Sequence, residues 1–181
     1  MNAHRCAPFL TALCLVSSGA FGAPVRVKDS GISFVAKANV GLVIEGTTSA
    51  LLVSEDAKNV TLVVELGGLT TGVDLRDKHM RERYLEVPKF PTASLVIEKA
   101  CLALPEAGDK SGECAGAFTL HGETKGVVVK FKATVTGSGA TTSVDASFSA
   151  NFMDHGVEEP KYLGIKLKPT VEVRAKFTAS R

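Results

Sequence analysis

Between Gly31 and Phe177, apolar and polar residues alternate in segment after segment, as they do in strands whose two faces meet different surroundings. In GISFVAKANV, Ile32, Phe34, Ala36, Ala38 and Val40 share one face. NVTLVVEL sets Val60, Leu62, Val64 and Leu66 against Thr61, Val63 and Glu65. Leu95 and Ile97 oppose Ser94 and Glu98. The series Val127, Val129, Phe131, Ala133, Val135 forms another stripe, as does Val144, Ala146, Phe148, Ala150, Phe152. Val171, Val173, Ala175 and Phe177 close the chain in the same way. With Leu42–Ser49 and Ala117–His121 added, about eight strands are expected. One apolar and one polar face on every strand predicts an antiparallel sheet curled around a single interior, and eight strands can close a barrel. SEDAKN, AGDKSG and TGSGATT read as hairpin turns.

One stretch breaks the alternation, TTGVDLRDKHMRERYLEVPKFPTA, residues 70–93. It is charged and opens like a helix, with Asp74 as the expected N-cap and Asp77 three residues on. The helix should end before Pro88. One short helix after the third or fourth strand is therefore expected, as a lid on the barrel or a connector across its end.

The amino terminus reads as an address. His4 and Arg5 precede an apolar run from Phe9 to Val16 and the small residues of SSGAFGA, the layout of a secretory signal peptide too short to span a bilayer. Residues 1–22 are assigned to it, with cleavage after Gly22 or after Ala20. Leu13 stands where lipidation of Cys14 would need a small residue. Residues 23–181 then form one domain, exported to the periplasm or secreted, with no integral membrane segment.

Charge changes little in this picture. The net charge of +2 becomes about +1 without Arg5, so neither nucleic acid nor a strongly charged partner is indicated. Four cysteines are present, and Cys6 and Cys14 fall in the leader. Cys101 and Cys114, the remaining pair, are expected to form a disulfide clamping the base of a hairpin, contributing roughly 3 kcal/mol.

Catalytic chemistry finds no support. His79, His121 and His155 have no metal-ligand spacing; His79 is expected to make a structural hydrogen bond, the others to be exposed. Nucleophile and phosphate-loop motifs are absent, and Glu158 and Glu159 read as solvent-facing. The chain is read as a non-enzyme without a metal or obligatory cofactor. The mixture of inward alanines with Phe34, Phe118, Phe131, Phe148 and Phe152 fits either an apolar cavity or a tapering, filled core.

RDKHMRERYLEVPKFPTASL resembles the signature of the YceI-like, polyisoprenoid-binding family, an Arg-Asp-x-His-Leu/Met-Arg run followed by Lys-Tyr/Phe-Pro-x-Ala. FTLHGETKGVVV is similar to that family's LTLHGVTKPV hairpin, and Val157–Phe177 matches its closing stretch. Asn39 stands where the family's first strand often has histidine. The resemblance implies an extended, lipocalin-like barrel holding an isoprenoid, a quinone tail or another amphiphilic lipid. It also implies that Tyr84, Leu85 and Phe90 border the cavity, with Phe34, Phe118, Phe131, Phe148 and Phe152 lining it. A ligand-free barrel that acts as a stress-related protein-interaction module through its basic helix is the alternative, and a homodimer stays open.

Overall fold

The computed structural model describes residues 24–27, 29–137, 141–162 and 164–180. The leader, Leu163 and part of the TGSGATT turn lie outside the described residues. The strands are β1 (Val25–Arg26), β2 (Gly31–Ala38), β3 (Val43–Thr48), β4 (Leu51–Glu55), β5 (Asn59–Glu65), β6 (Thr92–Glu98), β7 (Gly108–Leu120), β8 (Glu123–Thr136), β9 (Thr141–Asn151), β10 (Lys161–Tyr162) and β11 (Ile165–Ser180). Helix α1 covers Asp74–His79 and runs into a π-helical turn, Met80–Tyr84. A single turn, α2, covers Lys99–Leu102.

Every strand pairing is antiparallel, in the order β1-β4-β5-β6-β7-β8-β9-β11-β2-β3, with β10 on β11. β3 and β4 lie at opposite margins of this path, yet only Ser49 and Ala50 separate them in the chain. Two residues reach only about 7 Å when extended, so the sheet has to curl until its margins approach. A backbone bridge between Thr47 and Thr70, with N–H to O distances of 2.8 and 3.0 Å, ties β3 to the segment leading into α1.

The alternating stripes became the inner face. Ile32, Leu62, Leu95, Ile97, Val129, Phe131, Ala133, Ala146, Ala150, Ala175 and Phe177 are all buried in one apolar cluster, and Ala36 is buried as well. Val40 is the exception: it sits exposed in the β2–β3 turn.

Other expectations are corrected. The eight-strand expectation gives way to eleven strand segments among the described residues. Leu51–Glu55 was missed because LLV has no alternation; Leu51 is wholly buried and its neighbours half-buried. β1 and β10 are two-residue pairings too short to leave a periodic signal. AGDKSG is no turn: Gly108 to Leu120 is a continuous strand paired with β8 along its length. The helix follows the fifth strand, not the third or fourth.

The disulfide joins Cys101 to Cys114 with Cα atoms 5.9 Å apart. It lies just beyond the last β6–β7 pair, Ile97 with Gly116. Cys101 is on α2, in the β6–β7 connection, and Cys114 is buried within β7, so the bond ties that connection onto the strand that follows it.

Strand alternation places four connections at one end of the curled sheet: the β2–β3 turn, the α1 segment, the β7–β8 turn and the β9–β11 segment. This loop end carries most of the irregular structure. The opposite end carries the β4–β5 turn and α2.

Candidate functional site

The expected ring residues fall into three environments. Phe118, Phe131 and Phe152 are fully buried in the core. Phe118 meets Phe148 at 4.9 Å between ring centroids and His155 edge-on at 5.2 Å. They are packed structural residues in this conformation.

Phe34 and Phe148 differ. Each pairs with Val173 across β11, giving an inward row Phe34–Val173–Phe148. All three side chains contact the core cluster, yet remain only half-buried. Ala36, Ala146, Ala150 and Ala175 on the same inner face are closed off. The ring of Phe34 lies flat across Gly46, its cross-strand partner, where any Cβ would collide with it. Glycine at 46 thus lets the ring lie close against the neighbouring strand, where a side chain would displace it.

The same gradient appears along β11. Phe177 and Ala175 are buried, whereas Val173, Val171 and Leu167 are half-buried toward the loop end. The β2–β11 register shifts between Leu167 and Val171, around Pro169, a tolerated place for proline because a bulge leaves a ladder donor unused. Along β11 the inner face is thus closed at Ala175 and Phe177 and more accessible from Val173 to Leu167, although Ala36, Ala38 and Ala150 beside that stretch are buried.

Tyr84 and Leu85 approach this face from the π-helical turn, half-buried against the core. Phe90 does not join them. It packs on His121 at 4.3 Å between centroids and covers Gly122, whose positive φ of 80° and crowded Cβ position both favour glycine. Its role is to close the β7–β8 turn.

The Arg76–Asp77 pair positions the helix. Asp74 does not cap it; Val73 is the N-cap and offers no side-chain bond. Asp77 is buried and accepts hydrogen bonds from Thr70 Oγ1 (2.6 Å), Thr71 N (2.8 Å) and Thr71 Oγ1. Burial alone would raise its pKa, but these donors and the Arg81 charge outweigh it and hold the carboxyl below its ordinary value. Arg76 reaches back to Thr71 Oγ1 (2.7 Å) and Thr71 O (2.9 Å), and Arg81 Nη1 donates to Leu69 O (3.0 Å). Because Thr70 is bridged to Thr47 on β3, this staple holds the helix across the sheet's margin. The threonines carried no recognisable signal; Arg76 and Asp77 did, as a sequence pair, but their target lies upstream in the chain rather than in the helix.

The histidine expectations reverse. His79 is exposed. His155 is almost completely buried, with Nδ1 2.8 Å from Glu123 O, and His121 is half-buried with Nε2 2.9 Å from Glu86 Oε2. Hydrogen bonds from Lys89 and then His121 hold Glu86 below its ordinary value. Asn39 ties the β2–β3 turn to β11: its side chain donates to Gly164 O and accepts from Lys166 N, both at 3.2 Å.

A separate groove of about 700 Å³ runs along Ser33, Thr47, Thr70 and Arg174. It contains none of the eight expected ligand residues and is lined largely by hydroxyl-bearing side chains. Among the described residues, no group of three or more His, Cys, Asp or Glu side chains gathers as a metal site. No described helix is long and apolar enough to cross a membrane.

The family model of the YceI-like domain matches residues 25–179. A UPF0312 protein of Pseudomonas savastanoi pv. phaseolicola is 29% identical over 123 residues, 64% of this chain and 61% of that protein. A UPF0312 protein of Pseudomonas putida (strain W619) is 30% identical over 112 residues, 58% of this chain and 55% of that one. The match thus spans about three fifths of the length of these curated relatives. Among solved structures, a polyisoprenoid binding domain from Saccharophagus degradans implicated in plant cell wall breakdown superposes with a TM-score of 0.70. It is 15% identical, with 90% of this chain and 98% of that one covered. BcnA of Burkholderia cenocepacia gives 0.63 at 17% identity, over 83% and 96% of the two chains. At these identities the likeness is one of fold.

Proposed function

We propose that this chain, which belongs to the YceI-like family, is a binding protein that takes the apolar chain of an isoprenoid, a quinone or a similar amphiphilic lipid against its inner face. One observation carries the reading: Phe34, Val173 and Phe148 point inward and stay accessible while the alanines around them are closed. Apolar surface in that position stabilises a hydrocarbon chain by about 0.8 kcal/mol per methylene removed from water, less ordering costs. The polyisoprenoid-binding domain among the structural neighbours supports the same ligand class. Phe118, Phe131 and Phe152 are then floor rather than wall.

In this reading residues 1–22 are removed and the protein works outside the cytoplasm, where the Cys101–Cys114 disulfide persists. The helix and Leu85 border the entrance, held there by the Asp77 staple. Binding rather than catalysis is its role.

The test is mass spectrometry of organic extracts from the purified exported protein beside an unrelated exported control. A stoichiometric isoprenoid, quinone or acyl lipid enriched over the control is expected. No enrichment, together with no uptake of polyprenol or quinone by the delipidated protein, would overturn the reading in favour of a filled interaction module.

A further inference from the structure

Eight large apolar side chains are exposed among the described residues, and six of them are at the loop end: Val40, Leu42, Val43, Val73, Leu75 and Met153. Three of these form one projection. Val40 (63% exposed), Leu42 (43%) and Val43 (50%) occupy the β2–β3 turn and the residue after it. The projection is rigid: Ala38 N donates to Leu42 O at 2.7 Å, and Asn39 is bound from both sides to the start of β11. Contiguous exposed apolar surface on a soluble fold marks an interaction site.

What surrounds the projection identifies the partner. Lys37 is directly opposite Val43. Asn39 N donates to Lys166 O, and Lys161 is the cross-strand partner of Lys166. Lys168 follows two residues on, on the same side of the strand. Within this group Lys37 and Lys166 reach carboxylates only at 3.9 and 3.8 Å, to Glu172 and Glu159. Lys161 and Lys168 make no ion pair among the described residues. Glu45 on β3 and Asp154 and Glu158 in the β9–β11 segment are the other acids here, and all three are exposed. Four lysines around an apolar projection complement a surface that offers phosphates above hydrocarbon.

We propose that the loop end docks on an anionic lipid bilayer, with Val40, Leu42 and Val43 entering the headgroup region and Lys37, Lys161, Lys166 and Lys168 meeting lipid phosphates. This rests on the lipid-binding reading in one respect: docking turns the accessible end of the inner face toward the membrane, so that a chain passes between bilayer and barrel without crossing water. The lysines and the projection share an end with that accessible face; the opposite end carries Lys58 and Lys99 but no such apolar turn.

The experiment is flotation of the purified protein with phosphatidylcholine vesicles with and without phosphatidylglycerol. Docking is expected with the anionic vesicles only, and it should weaken as salt shortens the screening length. Lys161→Glu combined with Lys168→Glu should lower vesicle partition roughly tenfold or more. Leu42→Asp should abolish docking, while Val128→Asp, more exposed but in the middle of β8, should leave it intact. Wild-type protein that fails to float with anionic vesicles, or Leu42→Asp protein that floats like wild type, overturns the proposal. Uptake of detergent-dispersed polyprenol is measured in parallel and should survive Leu42→Asp. Wild-type docking without uptake would instead defeat the lipid-binding reading and leave membrane docking standing.

Discussion

The two halves of β11 are built from the same alternation and end in different states. At Ala175 and Phe177 the inner face is packed shut; at Val173 and Val171 it is reachable. Composition does not separate them, since valine is the bulkier residue beside alanine. What separates them is what lies opposite. Phe177 pairs with Val144 of β9, and Phe131 and Ala146 pair nearby, so large and small residues interdigitate there. Beside Val173 lie Phe34, folded flat on Gly46, and Phe148, drawn toward Phe118. Both rings, like Val173, stay half-buried.

If the sealed half is a core, Phe131→Ala should cost about 3–5 kcal/mol in chemical unfolding, with little change in ligand uptake by the fraction that folds. The staple comes next. Asp77→Ala leaves Thr70 and Thr71 without their acceptor and should cost about 2–3 kcal/mol, releasing α1 from the margin and raising hydrogen exchange there first. Reduction of Cys101–Cys114 should lower stability by roughly 3 kcal/mol at most, without altering the accessible half. Phe148→Ala should cost less than Phe131→Ala because its ring is already partly solvated; equal losses would erase the distinction between the halves.

Acid gives the smallest and most graded effect. Asp77 and Glu86 are both held below their ordinary values of 3.8 and 4.5 in the fold. Their contribution is thus fully present above those values and is lost as pH falls through the lower folded pKa. Unfolding midpoints measured from pH 6 downward should begin to drop at about pH 4, and Asp77→Asn should flatten part of that slope. A midpoint that rises on acidification would contradict the assignment.

Much of this was legible in the chain. Period-two stripes revealed nearly every inner residue, because a one-sided strand must repeat at that interval. LLVSE was hidden because Leu51 to Ser54 are buried or half-buried on both faces. GDKSG looked like a turn because its residues favour turns, yet β8 pairs with all of it; long-range pairing overrode local preference. The histidines misled for a related reason. His155 is buried because the Phe152–His155 turn after β9 packs onto β7, β8 and β11, a tertiary event with no local trace. Asp77 was read as serving its own helix, whereas it serves the threonines that bridge to β3. Phe34 and Phe148 were named among the liners, but nothing in their spacing distinguished them from Phe118 or Phe131.

The most direct test of the open half is to fill it. Val173→Phe places a larger side chain between Phe34 and Phe148, and uptake of a fluorescent polyprenol is then compared with wild type. Room in front of Val173 predicts that uptake falls sharply while the unfolding midpoint stays near wild type. Unchanged uptake, or the loss of about 1–3 kcal/mol expected from overpacking a filled core, would contradict it.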